Sequence, residues 1–190
     1  ENAVWGYPDP FDEVAALADL VAFYWDRVDG WYEEDEEIFV HPRDPYKRVD
    51  AIASSRQVQV IVGGETIAET RRARFLFETR LPTRYYIPAE DVRIDLLVPS
   101  DKATACPYKG KARYWSVKVG DQVFPDLVWS YPDPIAECPK IKGLLAFFNE
   151  QVDEIRVDGV PVPRPLTKWS TAWKERDASM PDLSGPVARP

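Results

Sequence analysis

The sequence predicts a mainly β protein, an antiparallel sheet or barrel, and three observations lead there. Short runs alternate apolar and polar residues with period two, as in Val58, Val60 and Val62. Turn residues punctuate these runs at regular spacing, as at Gly63-Gly64, Gly120-Asp121 and Asp158-Gly159. A unit of sequence also occurs twice. Trp5-Gly-Tyr-Pro-Asp-Pro10 reappears as Trp129-Ser-Tyr-Pro-Asp-Pro134, an offset of 129 − 5 = 124.

The same offset places Leu20–Tyr24 on Leu144–Phe148 and Val28-Asp29 on Val152-Asp153. Three islands in one ungapped register mark a repeated unit, of which the first copy holds only the C-terminal part. The repeat bears on residues 11–25, whose apolar spacing suggests an amphipathic helix. Their counterparts include Pro139 and Gly143, which disfavour a helix interior. A loop or short helical turn, followed by strands at 20–25 and 144–149, is therefore expected, with a longer helix peculiar to the first copy as the alternative.

The middle of the chain supplies the remaining elements in order. Val58–Val62 turns through Gly63-Gly64 into Glu65–Ala68. Arg74–Glu78 and Arg84–Ile87 are aromatic strands, the second ended by Pro88. Arg93–Val98 is expected as a strand, with Asp91, Asp95 and Asp101 on a turn and the neighbouring strand. Ala112–Val119 presents Arg113, Trp115, Val117 and Val119 on one face, and Gln122–Trp129 follows. Val152–Val157 completes the set. The expected organisation is a partial copy over 1–32, an acidic and proline-containing linker over 33–55, a complete β domain over 56–160 and a proline-rich tail over 161–190. Trp169 and Trp173 are the tail residues able to pin it to the body.

Composition narrows the function. The 24 basic and 32 acidic residues give a net charge of −8, which argues against a general nucleic-acid binder. No run of about 18 apolar residues suits a membrane helix, and Glu1–Trp5 does not read as a secretory leader. Cys106 and Cys138 form neither a disulfide framework nor a zinc spacing, so no metal ligand set is expected and a reducing, cytoplasmic setting is the default.

The central stretch resembles the family known as domain of unknown function 427. The residues that carry the likeness are Leu76–Thr79, Leu81–Pro88, Asp91–Leu97, Pro99–Lys102, Cys106–Gly110, Ala112–Val117 and Trp129–Pro134. The likeness covers about 56–160 as a whole domain and about 3–32 in part. It implies a small β domain of the Mss4-like or β-tent kind, carried twice by some members. It also implies a nucleotidyltransferase-like heading. That heading finds little here: no Gly-Ser dipeptide, no Asp-x-Asp triplet and no P-loop occurs. The paired Cys-x-x-Cys sites of Mss4-like zinc proteins are absent as well.

Candidate chemistry centres on Cys106-Pro-Tyr-Lys-Gly110. A cysteine near a lysine can act as a nucleophile, which makes Cys106 and Lys109 the catalytic candidates. The competing reading makes Cys106 a small buried residue and Lys109 a partner of a carboxylate. Arg84, Tyr86, Tyr108, Trp115, Trp129, Tyr131 and Asp133 are the ligand-binding candidates, with aromatic walls around an anion held by cations. Against this stands cross-strand pairing of the cations with Glu78, Glu90, Asp91 and Asp95, and a rigid double-proline turn with Trp129 and Tyr131 in the core. The expected function is binding of a small anionic or aromatic, nucleotide-like ligand. The alternative is a non-catalytic structural or protein-interaction module. No cofactor follows from the sequence. Exposed strand edges and aromatics such as Phe23, Trp25 and Trp31 need cover, so the partial copy is expected to pack on the domain or on another chain, the latter allowing a homodimer through it.

Overall fold

The computed structural model describes residues 2–33 and 36–170. Fifteen strands run along them: β1 (Val4–Gly6), β2 (Val21–Phe23), β3 (Tyr32–Glu33), β4 (Glu36–Glu37), β5 (Val49–Ala53), β6 (Val58–Val62), β7 (Glu65–Thr70), β8 (Arg74–Glu78), β9 (Arg84–Tyr86), β10 (Leu97–Cys106), β11 (Gly110–Val119), β12 (Gln122–Ser130), β13 (Leu145–Phe147), β14 (Glu154–Val157) and β15 (Val160–Pro161). Every strand pair is antiparallel. The sheets run β10-β11-β12-β13, β15-β14-β6-β7 and β5-β8-β9, with the two-stranded β1-β2 and β3-β4. None of them closes into a barrel, so the sheet half of the expected architecture holds and the barrel half does not.

The β6–β7 hairpin forms where the period-two pattern meets two glycines. Val58, Val60 and Val62 are fully buried on one face, and Gly63 and Gly64 both hold positive φ, as a tight hairpin turn requires. Phe75 and Tyr85 meet edge to face at 4.9 Å across the β8–β9 pair. Two reciprocal backbone bonds between Ile87 and Leu145, 2.8 and 2.9 Å, join the β9 side to β13. Arg93 N–H donates to the Ile67 carbonyl at 2.8 Å and joins β7 to the segment after β9. The three larger sheets thus enclose one core around Ile67, Leu76, Tyr86, Val117, Val128 and Phe147.

Three elements depart from the sequence expectation. Arg93–Val98 is not a strand: Ile94–Leu96 is a 3-10 turn, and β10 begins at Leu97 and runs to Cys106. β10 is the outer strand of its sheet and is mostly exposed, so it needs no apolar alternation and tolerates Pro99. Val49–Ala53, expected in the linker, pairs with β8 as β5. Part of the acidic run forms the β3–β4 pair, while Glu34 and Asp35 lie outside the described residues.

The N-terminal segment has the predicted short helical stretch at Asp12–Asp19 and then β2. Its backbone plan matches residues 127–162 at the offset of 124. β1–β2 pairs Val4↔Phe23, Trp5↔Ala22 and Gly6↔Val21; β12–β13 pairs Val128↔Phe147, Trp129↔Ala146 and Ser130↔Leu145. β3–β4 pairs Tyr32↔Glu37 and Glu33↔Glu36; β14–β15 pairs Arg156↔Pro161 and Val157↔Val160. Turn bonds follow the same rule. Tyr24 N–H to Ala3 O matches Phe148 to Leu127, and Ile38 N–H to Trp31 O matches Val162 to Ile155.

Burial does not follow that rule. Trp5 is 40% exposed and Trp129 7%; Phe23 is 49% exposed and Phe147 1%; Val21 is 65% exposed and Leu145 4%. The C-terminal set packs under β6, β9 and β11. Among the described residues, no hydrogen bond, ion pair or ring contact joins 2–33 to 48–170. The N-terminal segment is held by its own aromatics instead. Trp25 and Trp31 stack at 4.6 Å, and Trp31 Nε1–H donates to the Trp25 carbonyl at 2.9 Å.

Candidate functional site

The Cys106–Gly110 segment is the turn of the β10–β11 hairpin, closed by the Cys106↔Gly110 pair and a Lys109 N–H bond to the Cys106 carbonyl at 3.3 Å. Gly110 holds φ +102°, and a Cβ there would lie 3.3 Å from the Asp133 carbonyl oxygen. Both the backbone conformation and the close approach require glycine. That approach brings the turn against Pro134, and Ile135 N–H bonds the Lys109 carbonyl at 3.2 Å. The Cys-Pro-Tyr-Lys-Gly and Trp-Ser-Tyr-Pro-Asp-Pro motifs therefore form one structural unit.

Lys109 is buried, and its Nζ donates to Glu78 Oε2 at 2.5 Å. Lys47 approaches the other carboxylate oxygen at 3.6 Å. The ammonium of Lys109 is thus matched by a carboxylate as buried as itself. An anionic ligand could take it only by displacing Glu78, at the cost of leaving that charge unpaired. Cys106 is half-buried and Cys138 is buried. Burial pushes the Cys138 thiol up, against a lowering by Lys109.

Tyr108 is covered by the chain that enters the domain. Its hydroxyl oxygen accepts the Asp44 N–H at 2.8 Å. The His41 ring meets it edge-on at 5.9 Å, and Lys47 Nζ lies 4.8 Å from its centroid. Residues 41–47 therefore form a strap over the turn, clipped at its far side by the Arg43–Glu137 ion pair at 2.5 Å.

Arg84 belongs to a second buried cluster. It donates from Nη1 and Nη2 to the two oxygens of Glu150, each at 2.7 Å, with Asn149 Oδ1 at 3.3 Å. Thr167 Oγ1 donates to the same carboxylate at 2.6 Å. Burial raises the Glu150 pKa, and the bonds from Arg84 and Thr167 outweigh it, leaving the carboxyl below its usual range. The guanidinium lies 5.6, 6.0 and 5.4 Å from the ring centroids of Trp129, Phe148 and Trp169. Trp169 thus pins the start of the tail as expected, whereas Trp173 lies outside the described residues. Tyr86 joins this second cluster: its hydroxyl accepts from Trp129 Nε1 at 3.1 Å. Burial pushes the phenols of Tyr86 and Tyr131 above the ordinary tyrosine range.

The structure brings Arg84, Tyr86 and Trp129 together, and joins Cys106, Tyr108 and Lys109 in one turn. It does not bring in Trp115 or Asp133. Trp115 shares a sheet face with Val128 and Ser130, opposite to that of Trp129, and lines an apolar groove of about 320 Å³ with Ile94, Leu97, Pro132 and Leu145. Asp133 is exposed and pairs with Lys142 at 3.1 Å. Sequence reasoning named Glu78 only as a pairing partner, and missed Glu150, Lys47 and Asn149. Glu150 follows the conspicuous Phe147-Phe148 pair, and a carboxylate at the end of an apolar strand is the one signal that pointed to it. Among the described residues, no His, Cys, Asp and Glu cluster suits a metal ion, and no helix is long and apolar enough to cross a membrane.

A family model described as a domain of unknown function (DUF427) matches residues 1–34 and 50–158. No curated protein matches the chain.

Proposed function

Since the chain belongs to the DUF427 family, whose description carries no reaction, we propose that it is a non-catalytic interaction module whose N-terminal segment takes up strands from a protein partner. One observation supports this most: residues 3–38 and 127–162 follow one hydrogen-bond plan but have opposite burial. Residues 3–38 are read as a second copy of part of the unit, on which no other strand packs among the described residues as β6, β9 and β11 do on its counterpart.

The counterpart defines the partner's chemistry. β13 receives Ile87 through two backbone bonds, with Arg84 beside it on Glu150. At the offset of 124, Leu145 corresponds to Val21 and Glu150 to Asp26, which is exposed. Residues 1–32 carry seven acidic side chains and one basic one. A basic, aromatic edge strand of the Arg84–Ile87 kind suits this surface by β-augmentation. The same charge opposes the homodimer, because it would face two acidic surfaces toward each other.

The small-anion reading at Cys106 and Lys109 has less support. Lys109 and Arg84 are each matched by a buried carboxylate. The test is a fluorescence titration of the whole chain with strand peptides carrying Arg-aromatic-aromatic-aliphatic, against scrambled controls. Saturable binding that Phe23→Asp abolishes and Asp26→Arg weakens is expected. Equal binding by Phe23→Asp, or a dimer in light scattering that excludes the peptide, would overturn the proposal.

A further inference from the structure

A separate groove lies where the turn after β7 meets the end of β5. It has a volume of about 480 Å³ and is lined by Ala53, Ser54, Ser55, Arg71, Arg72 and Arg74. Backbone pairing builds it. Ala53 faces Arg74 across the β5–β8 ladder, and Ser54 N–H bonds the Ala73 carbonyl at 2.9 Å, so two serines and three arginines converge at one sheet end.

The charge accounting around this groove is uneven. Arg72 is matched by Asp91 at 2.7 Å and Glu90 at 3.2 Å. Nearby Arg56 is matched by Asp158 at 2.6 Å. The side chains of Arg71 and Arg74 make no hydrogen bond, ion pair or ring contact among the described residues; Asp158, already paired with Arg56, lies within electrostatic reach of Arg71, and Arg74 has no carboxylate of its own. One guanidinium without a carboxylate and a second that has only a share of one are unexpected in a chain of net charge −8, where carboxylates outnumber cations. Like charges held close together repel, and an anion between them removes that cost.

The hydroxyls add donors. Ser54 Oγ accepts the Arg56 N–H at 3.3 Å, which leaves its own O–H free to donate outward, and Ser55 is exposed beside it. We propose that this groove binds a phosphate group, as inorganic phosphate or as the phosphomonoester of a small molecule. A phosphate carries close to two negative charges near neutral pH and has oxygens for several donors, so it matches two guanidinium forks and two hydroxyls. A carboxylate matches one fork only. The volume exceeds what a lone phosphate needs and leaves room for a small ester group. The overall negative charge makes a nucleic-acid backbone a poor occupant.

Calorimetric titration of the whole chain at constant ionic strength tests this, with inorganic phosphate, phenyl phosphate and benzoate as probes. Saturable binding of phosphate is expected, with benzoate at least about tenfold weaker. Tighter binding of phenyl phosphate than of inorganic phosphate would identify the ester as the ligand form, and equal binding the free ion. The Arg71→Ala/Arg74→Ala variant should lose binding at least about tenfold while keeping its circular dichroism and melting temperature, since neither side chain makes a hydrogen bond or ion pair among the described residues. Lys118→Ala, which removes an exposed cation elsewhere, should bind as the parent does. No saturable phosphate binding, retention of binding in the double variant, or an equal loss in Lys118→Ala would each overturn the proposal.

Discussion

Replacing Glu150 with glutamine tests the buried ion pair that anchors β9 to the segment after β13. The change keeps the shape and one acceptor for Thr167 Oγ1, but removes the charge that faces both guanidinium nitrogens of Arg84 at 2.7 Å. Both partners are almost fully buried, with 7% and 0% of their side chains exposed, so solvent cannot replace what is lost. Removing one member of such a pair costs about 3–5 kcal/mol. At about 2–4 °C per kcal/mol for a chain of this size, the melting temperature should fall by about 6–20 °C. The sign with pH follows from the depressed Glu150 pKa. A carboxyl whose folded pKa lies below its unfolded value of about 4.3 stabilises the fold above that value and loses the contribution as pH falls through the folded pKa. Urea denaturation of parent and variant should therefore show the full difference at pH 7 and a shrinking one below about pH 4.3. The pair Arg84→Met with Glu150→Leu should recover most of the stability, because neutral side chains of similar volume remove the uncompensated charge. A variant within about 1 kcal/mol of the parent at pH 7, or a difference unchanged down to pH 3, would refute the reasoning.

Further expectations concern the two aromatic regions and the strap. Tyr86→Phe leaves the buried Trp129 Nε1–H without its acceptor and should cost about 1–3 kcal/mol in urea denaturation. Phe147→Ala should cost about 3–5 kcal/mol, whereas Phe23→Ala, at the matching exposed position, should change stability by no more than about 0.5 kcal/mol; equal losses would show that residues 1–33 share the main core. Tyr108→Phe removes the acceptor of the Asp44 amide, so hydrogen exchange at Asp44 should quicken by the equivalent of about 0.5–1.5 kcal/mol while the global melt stays put. Thiol labelling near neutral pH should modify Cys106 well before Cys138, which is buried with a raised pKa, and Cys106→Ala should remove the fast phase.

The β strands were legible wherever one face is buried and the other is not. Val58–Val62 and Gly110–Val119 show it, because burial on one face imposes period two on the residues themselves. β5 and β10 were not. β10 lies at a sheet edge, so little selects its side chains for alternation. β5 pairs with β8 across a sequence separation that no local pattern encodes. The candidate site divided in the same way. Its residues were named correctly as chemical types, but Trp115 faces away from Trp129, and the β-bulge between Trp115 and Val117 shows how local pairing modifies a simple alternation.

By itself the sequence determined the β class, the family likeness and the offset of 124 that relates Trp5 to Trp129. Those are properties of residues and their spacing along the chain. Only the tertiary structure decided which carboxylate neutralises which cation, and hence that Lys109 and Arg84 each hold a buried carboxylate while Arg71 and Arg74 form no ion pair among the described residues. Only it decided that one set of repeated residues is core and the other surface. The physical reason is common to both: charge matching and burial depend on what packs across space. Two segments with the same local hydrogen bonds differ in both when other strands pack on one of them and, among the described residues, none packs on the other.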